Sequence, residues 1–168
     1  IQKKHPSTLL ILVPRHPERF NSVLELLKAQ RLTTAQRSKN EMPDEKTAVY
    51  LGDTLGDLMM LYGTADIAFV GGSLAPIGGH SLIQPAAHGL PILAGPHLHK
   101  TVYVQDQLLK IGSLNIVNNE QDLIKSVLDL LNTPDKRRKM GIQAKNLCQS
   151  QSGTLEKHLD YIKTSIEL

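Results

Sequence analysis

Two stretches of this chain set polar residues and bare backbone at the starts of apolar helices. They are Gly52-Asp53-Thr54-Leu55-Gly56-Asp57-Leu58, and Gly71-Gly72-Ser73 followed by Gly78-Gly79-His80-Ser81-Leu82-Ile83-Gln84-Pro85. Unpaired N–H groups and the positive end of a helix dipole converge at such turns, which suits a phosphate. Arg15, placed just after the first apolar run, adds a guanidinium able to contact a phosphate or carboxylate in bidentate fashion; pairing with Glu18 is the alternative. Gly56 lets backbone approach a base or ribose, while Asp57 either accepts from a ligand or serves the helix dipole. Thr54 reads as the N-cap of the helix that follows. Ser81 and Gln84 form the pattern of a capping box, or else meet a ligand hydroxyl, and both roles are compatible.

The histidines raise the question of a metal, above all His80, His88, His97 and His99. The spacing argues against one: no cysteine or paired carboxylate stands at ligand spacing. No metal and no cofactor is therefore expected. Ser73, Gly79, His80 and His97 read instead as residues lining a polar cleft. Lys100 either meets a ligand carboxylate or is solvated.

These turns need a scaffold, and the intervening sequence supplies one. Thr8 to Val13 is a continuous apolar run ended by Pro14, the pattern of a strand buried on both faces. Pro17 suits a first helical turn, and Phe20, Val23, Leu24 and Leu27 then recur at helical spacing, which predicts a helix over 18–30. Further strands are expected at Leu32 to Gln36, Thr47 to Leu51, Ile67 to Val70, Pro91 to Ala94 and Leu114 to Val117. Helices are expected from Thr54 through Tyr62, and over Ser81 to His88, Thr101 to Ile111, Glu120 to Leu131, Pro134 to Cys148 and Thr154 to Ile166. Strand–helix alternation of this kind implies an α/β fold, a Rossmann-like parallel sheet with helices on both faces and ligands at the strands' carboxyl ends. The dinucleotide fingerprint and the Walker lysine motif are both missing, which disfavours a dehydrogenase and a P-loop nucleotidase.

The 168 residues suit a single domain, and 40% hydrophobic content suits a globular one. A formal charge of +3 tolerates an anionic ligand but is too mild for nucleic acid. The single cysteine, Cys148, excludes an intrachain disulfide framework and favours a reducing compartment. No apolar run approaches the ~20 residues of a membrane span. The start at Ile1, without initiator methionine or signal peptide, suggests a piece of a longer protein. The basic stretch Lys136-Arg137-Arg138-Lys139 reads as a solvated helix face, with docking to anionic lipid as the alternative.

Pro14-Arg15-His16-Pro17-Glu18-Arg19-Phe20, Gly52 to Leu58, Phe69-Val70-Gly71-Gly72-Ser73-Leu74, Gly78-Gly79-His80 and Gly95-Pro96-His97, in that order, resemble the C-terminal half of the Kdo transferases. These enzymes move 3-deoxy-D-manno-octulosonic acid (Kdo) from CMP-Kdo onto a lipid A precursor in the lipopolysaccharide biosynthesis of Gram-negative bacteria. The resemblance spans residues 13–100 and implies the second half of a GT-B glycosyltransferase fold. It implies that residues 1–168 are one CMP-Kdo-binding domain, in which a C-terminal helix over residues 150–168 crosses back toward an N-terminal domain. That missing domain would carry the membrane anchor, much of the acceptor surface and the carboxylate base, leaving no catalytic residue in this chain. The full protein would then act at the cytoplasmic face of the inner membrane, with CMP-Kdo, lipid A precursor and its own N-terminal domain as partners.

Carried onto matching positions, the family's nucleotide contacts are Pro14, Arg15, Leu55, Gly56, Asp57, Ser81, Leu82, Ile83 and Gln84. One departure matters chemically. The family usually has asparagine, proline, leucine and glutamate where this chain has Ser81 to Gln84, so Gln84 replaces the carboxylate expected to hold the ribose. A glutamine keeps an acceptor but loses the charge. A second departure is Leu98-His99-Lys100 after Gly95-Pro96-His97. The rival readings are a GT-B donor domain for a UDP-sugar, and a non-catalytic module that has lost its ligand.

Overall fold

Short, mostly apolar runs at regular intervals become six strands among the described residues, all paired in parallel. The computed structural model describes residues 1–151 and 161–164, and the chain divides into two units, Ile1–Ala65 and Asp66–Leu168. The expected parallel sheet is present as two three-stranded sheets, one in each unit.

In the first unit, β1 (Leu10–Leu12), β2 (Thr34–Gln36) and β3 (Val49–Leu51) lie in the order β1-β3-β2. Leu12 and Gln36 both pair with Leu51, so the loops after all three strands leave from one edge. Side chains alternate across the sheet. Val49 and Leu51 pack with Leu24 and Leu27 of α1 (Phe20–Ala29), whereas Tyr50 and Ala35 pack with Leu61 of α2 (Leu58–Gly63). Helices thus cover both faces. The first helix opens with a 3-10 turn over Pro17–Arg19, Pro17 occupying the first turn where its missing N–H is harmless.

In the second unit the order is β4 (Ala68–Val70), β5 (Ile92–Ala94), β6 (Leu114–Ile116). Central β5 is buried throughout. Ile92 and Ala94 share one cluster with Leu82, with Ala86 of α3 (Ile83–Ala87), Leu108 of α4 (Val102–Lys110) and Ala144 of α6 (Pro134–Ser150). Leu93 joins Leu130 of α5 (Glu120–Asn132) and Met140 on the opposite face. Each such leucine contributes about 1.5–3 kcal/mol through burial. The Asn119 side chain caps α5 by accepting from the Asp122 N–H at 2.9 Å. Helix α6 can touch the turn after α3 because Gly141 has no side chain: a Cβ there would fall onto the Gly89 carbonyl.

The helix expected over Thr154 to Ile166, with its crossing toward an N-terminal domain, rests mostly on residues outside those described. None of the described helices is long and apolar enough to cross a membrane.

Candidate functional site

In the first unit the chemistry-bearing turns follow the three strands. Pro14 and Arg15 follow β1 after Val13, Pro14 half-buried and Arg15 exposed. Gly52 ends β3 by donating its N–H to the Leu12 carbonyl at 2.9 Å; any Cβ there would lie 2.8 Å from Leu61 Cδ1. The chain then turns at Gly56, whose φ of +91° is in the region that L side chains avoid, with open space where a Cβ would be. Leu55 beside it is 74% exposed. Backbone at this turn is therefore accessible, as the sequence suggests.

Thr54 does not cap the helix. The left-handed turn at Gly56 delays the helix to Leu58, and Asp57 takes the N-cap position without a side-chain cap bond. The Thr54 hydroxyl donates instead to Asp57 Oδ2 at 2.7 Å, and Arg37 Nε donates to the same oxygen at 2.9 Å. Asp57 thus spends its carboxylate inside the protein, a third role beside the two expected from sequence. One residue group was missed entirely: Asp53 accepts from Gln36 Nε2 at 3.0 Å, from the Ser38 N–H at 2.8 Å and from the Ser38 hydroxyl at 2.6 Å. Gln36 ends β2 and Arg37 and Ser38 follow it, so the end of β2 and its loop hold the loop after β3.

These bonds set a pH dependence. The hydrogen bonds from Thr54 and then Arg37 hold the Asp57 carboxyl below the ordinary carboxylate range. For Asp53 burial pushes the other way, but the Ser38 and Gln36 donors outweigh it and the net shift is also downward. A depressed folded pKa contributes stability above the unfolded value of about 3.9, and the contribution is lost as pH falls through the folded value. Urea unfolding against pH should therefore show stability falling below about pH 4, with a shallower fall for the Asp53→Asn/Asp57→Asn variant. Identical acid slopes would mean that the network contributes nothing to stability.

In the second unit two loops meet at the carboxyl ends of β4 and β5. Ser73 is fully buried; its hydroxyl donates to the Val70 carbonyl and accepts the Gly95 N–H at 2.8 Å, while its carbonyl accepts the His97 N–H at 3.0 Å. It ties the turn after β4 to the loop after β5. Gly79 (φ +70°) donates to the Gly72 carbonyl at 2.8 Å and has Leu98 packed where a Cβ would sit. The His80 ring lies over the Gly71-Gly72 turn, with Nε2 3.4 Å from the place of a Gly72 Cβ. His99 and Lys100 crowd Gly78 in the same manner, so Ser73, Gly79, His80, His97 and Lys100 belong to one loop cluster.

Helix α3 departs from expectation at its start. Ile83 is its first residue and Leu82 its N-cap, with no side-chain cap bond, so the Ser81–Gln84 capping box does not form. Leu82 is drawn fully into the core, and this anchor shifts the helix start past the position from which Ser81 would cap. Leu82, expected from the family to meet the nucleotide, is wholly buried, backbone included, so its neighbours Ser81, Ile83 and Gln84 are the residues here that a ligand can reach. Gln84 is half-buried, and among the described residues its side chain makes no hydrogen bond. Among the described residues no group of three or more His, Cys, Asp or Glu could hold a metal ion.

Parallel strands with glycine-rich turns at their carboxyl ends, and helices on both faces, place the chain in the Rossmann-like α/β class, as half of a GT-B fold. Its structure is similar to the C-terminal CMP-Kdo binding domain of WaaA from Acinetobacter baumannii, with TM-score 0.83, 31% identity, and coverage of 88% of this chain and 77% of that one. The chain belongs to the 3-deoxy-D-manno-octulosonic acid transferase family. It is 40% identical to the transferase of Haemophilus influenzae over 165 residues, 98% of this chain and 39% of that protein. It is 33% identical to the transferase of Bordetella pertussis over 159 residues, 94% of this chain and 37% of that one. The chain thus spans well under half the length of these relatives. No protein-family profile matches it.

Proposed function

We propose that this chain is the donor-binding domain of a glycosyltransferase that moves Kdo from CMP-Kdo onto a lipid A precursor. The observation that carries the reading is the structural likeness to a domain described as binding CMP-Kdo. The five matching motifs support it independently, since the loops they form leave the carboxyl ends of parallel strands.

In this reading residues 1–168 act as one CMP-Kdo-binding domain. Arg15, presented after β1, gives charge-assisted hydrogen bonds to the donor phosphate, and Pro14 fixes the chain direction there. The Leu55-Gly56-Asp57 turn offers backbone to the cytidine, Gly56 keeping that approach open. The second unit, taken by itself, offers the N–H groups of Ile83 and Gln84, which lack intrahelical partners, and the polar side chains of Ser81 and Gln84 as donor contacts. His80, His97, Gly79 and Lys100 face the Kdo moiety. Bond cleavage places negative charge on departing CMP, and Arg15 stabilises that charge electrostatically. The acceptor hydroxyl is activated by a base in an N-terminal domain, which also carries the membrane anchor at the cytoplasmic face of the inner membrane. Neither metal nor cofactor enters the step.

Gln84 gives a sharp prediction. A carboxylate accepts a ribose hydroxyl through a charged hydrogen bond, worth about 1 kcal/mol more than a neutral one, so Gln84→Glu should tighten CMP binding about fivefold. Cytidine should gain equally. Unchanged affinity in a fluorescence titration would remove Gln84 from the ribose contact.

The transfer reading is tested with the full-length protein. CMP-Kdo and a lipid A precursor should yield CMP and a Kdo-bearing lipid. Turnover with a UDP-sugar instead would move the chain to a different donor class.

A further inference from the structure

Nucleotide-binding loops have to hold one shape, and a glycine at positive φ is the least able to hold it alone. Gly56 sits at φ +91° with nothing packed where a Cβ would be, and its neighbour Leu55 projects outward. The restraint on this turn comes from polar bonds made at its two ends. At the far end Asp57 Oδ2 receives Arg37 Nε at 2.9 Å and the Thr54 hydroxyl at 2.7 Å. At the near end Asp53 receives both the N–H and the hydroxyl of Ser38 and the amide of Gln36. The donor loop is itself closed: the Gln36 N–H donates to Glu41 Oε2 at 2.8 Å, and the Glu41 N–H to the Gln36 carbonyl at 3.2 Å.

We propose that Arg37 and Ser38 are positioning residues for nucleotide binding: through Asp57 and Asp53 they clamp both ends of the Leu55-Gly56-Asp57 turn in its binding shape. The inference rests on the assignment of that turn to the cytidine. It also changes the role of Asp57, whose carboxylate faces inward to Arg37 and Thr54 while the turn's backbone meets the ligand. Neither arginine nor serine stands near the turn in sequence; parallel pairing of β2 with β3 brings their loops side by side.

Two measurements test it. Without ligand, hydrogen exchange at the amides of Leu55, Gly56 and Asp57 should quicken about tenfold in Arg37→Ala and in Ser38→Ala, while amides of the β3 core keep wild-type rates. With ligand, Arg37→Ala should weaken CMP and cytidine by the same factor, about fivefold, and Arg37→Lys should recover part of the loss. The Arg37→Ala/Asp57→Ala variant should lose no more than Asp57→Ala, as expected of one coupled pair. A loss for CMP but not for cytidine would make Arg37 a direct phosphate contact and overturn the positioning role. Unchanged exchange at the turn would overturn it whatever the ligand does. If the wild-type chain bound neither CMP nor cytidine, the nucleotide reading and the positioning role would fall together, and exchange would report only a structural clamp.

Discussion

Arg15→Ala is expected to weaken CMP binding about 10- to 100-fold while leaving cytidine affinity within about twofold of wild type. The argument is chemical. A hydrogen bond to a charged group is worth about 1.5–3 kcal/mol, and each 1.4 kcal/mol is a factor of ten. Arg15 follows a strand end and is exposed, so it can reach a ligand without first leaving the core. Its removal should leave the fold intact, because β1 is held by pairing with β3 and by packing against α1. Arg15→Lys keeps the charge but loses the planar fork, and should fall between the two. Equal losses for CMP and cytidine would mean that Arg15 acts on the turn and not on the phosphate.

Gly95→Ala should produce the largest loss of stability among single substitutions near the site, about 3 kcal/mol. A Cβ at residue 95 would land on the Ser73 carbonyl and lie 2.5 Å from the Leu74 nitrogen, all backbone atoms that cannot rotate away. Overpacking typically costs about 1–3 kcal/mol. Separation of the loops would also weaken the Gly95 N–H to Ser73 hydroxyl bond and the His97 N–H to Ser73 carbonyl bond, each worth about 1 kcal/mol. At this chain length that loss should lower the melting temperature by about 6–12 °C. Gly112→Ala is the control: its φ is +70° but nothing lies within 4 Å, so only left-handed strain of about 1–2 kcal/mol is expected. Equal effects of the two substitutions in calorimetric unfolding would show that close packing at Gly95 is unimportant.

β5 and β3 were legible because burial on both faces leaves an unmistakable apolar run: residues 91–94 and 47–51 contain them with frayed ends only. The run at Thr8 to Val13 did mark β1, but not a strand buried on both faces, since Leu10 is 49% exposed. The glycine-rich stretches were legible as turns, and Gly56, Gly78 and Gly79 adopt positive φ in them. Local capping rules failed at two places for a tertiary reason. Thr54 and Ser81 carry the right side chains, but the Gly56 turn and the buried anchor Leu82 decide where each helix begins. Propensity yields to packing there.

The Arg37, Ser38 and Asp53 network was invisible to any local pattern because its partners are 15 to 20 residues apart. Its only trace was polar residues placed at the ends of two expected strands. Ser73 was misjudged in a related way: a hydroxyl beside glycines looks available for a ligand, yet the close approach of Gly95 buries it. The family motifs do fall on loops that follow strands, and the structure shows which side chains those loops keep for themselves.

The central claim is that this chain selects a cytidine nucleotide. Titration calorimetry with CMP, and with UMP as control, tests it most directly, since the two ligands share phosphate and ribose and differ in the base. The account predicts saturable CMP binding and UMP weaker by at least about tenfold; equal affinities, or no heat from CMP, would contradict it.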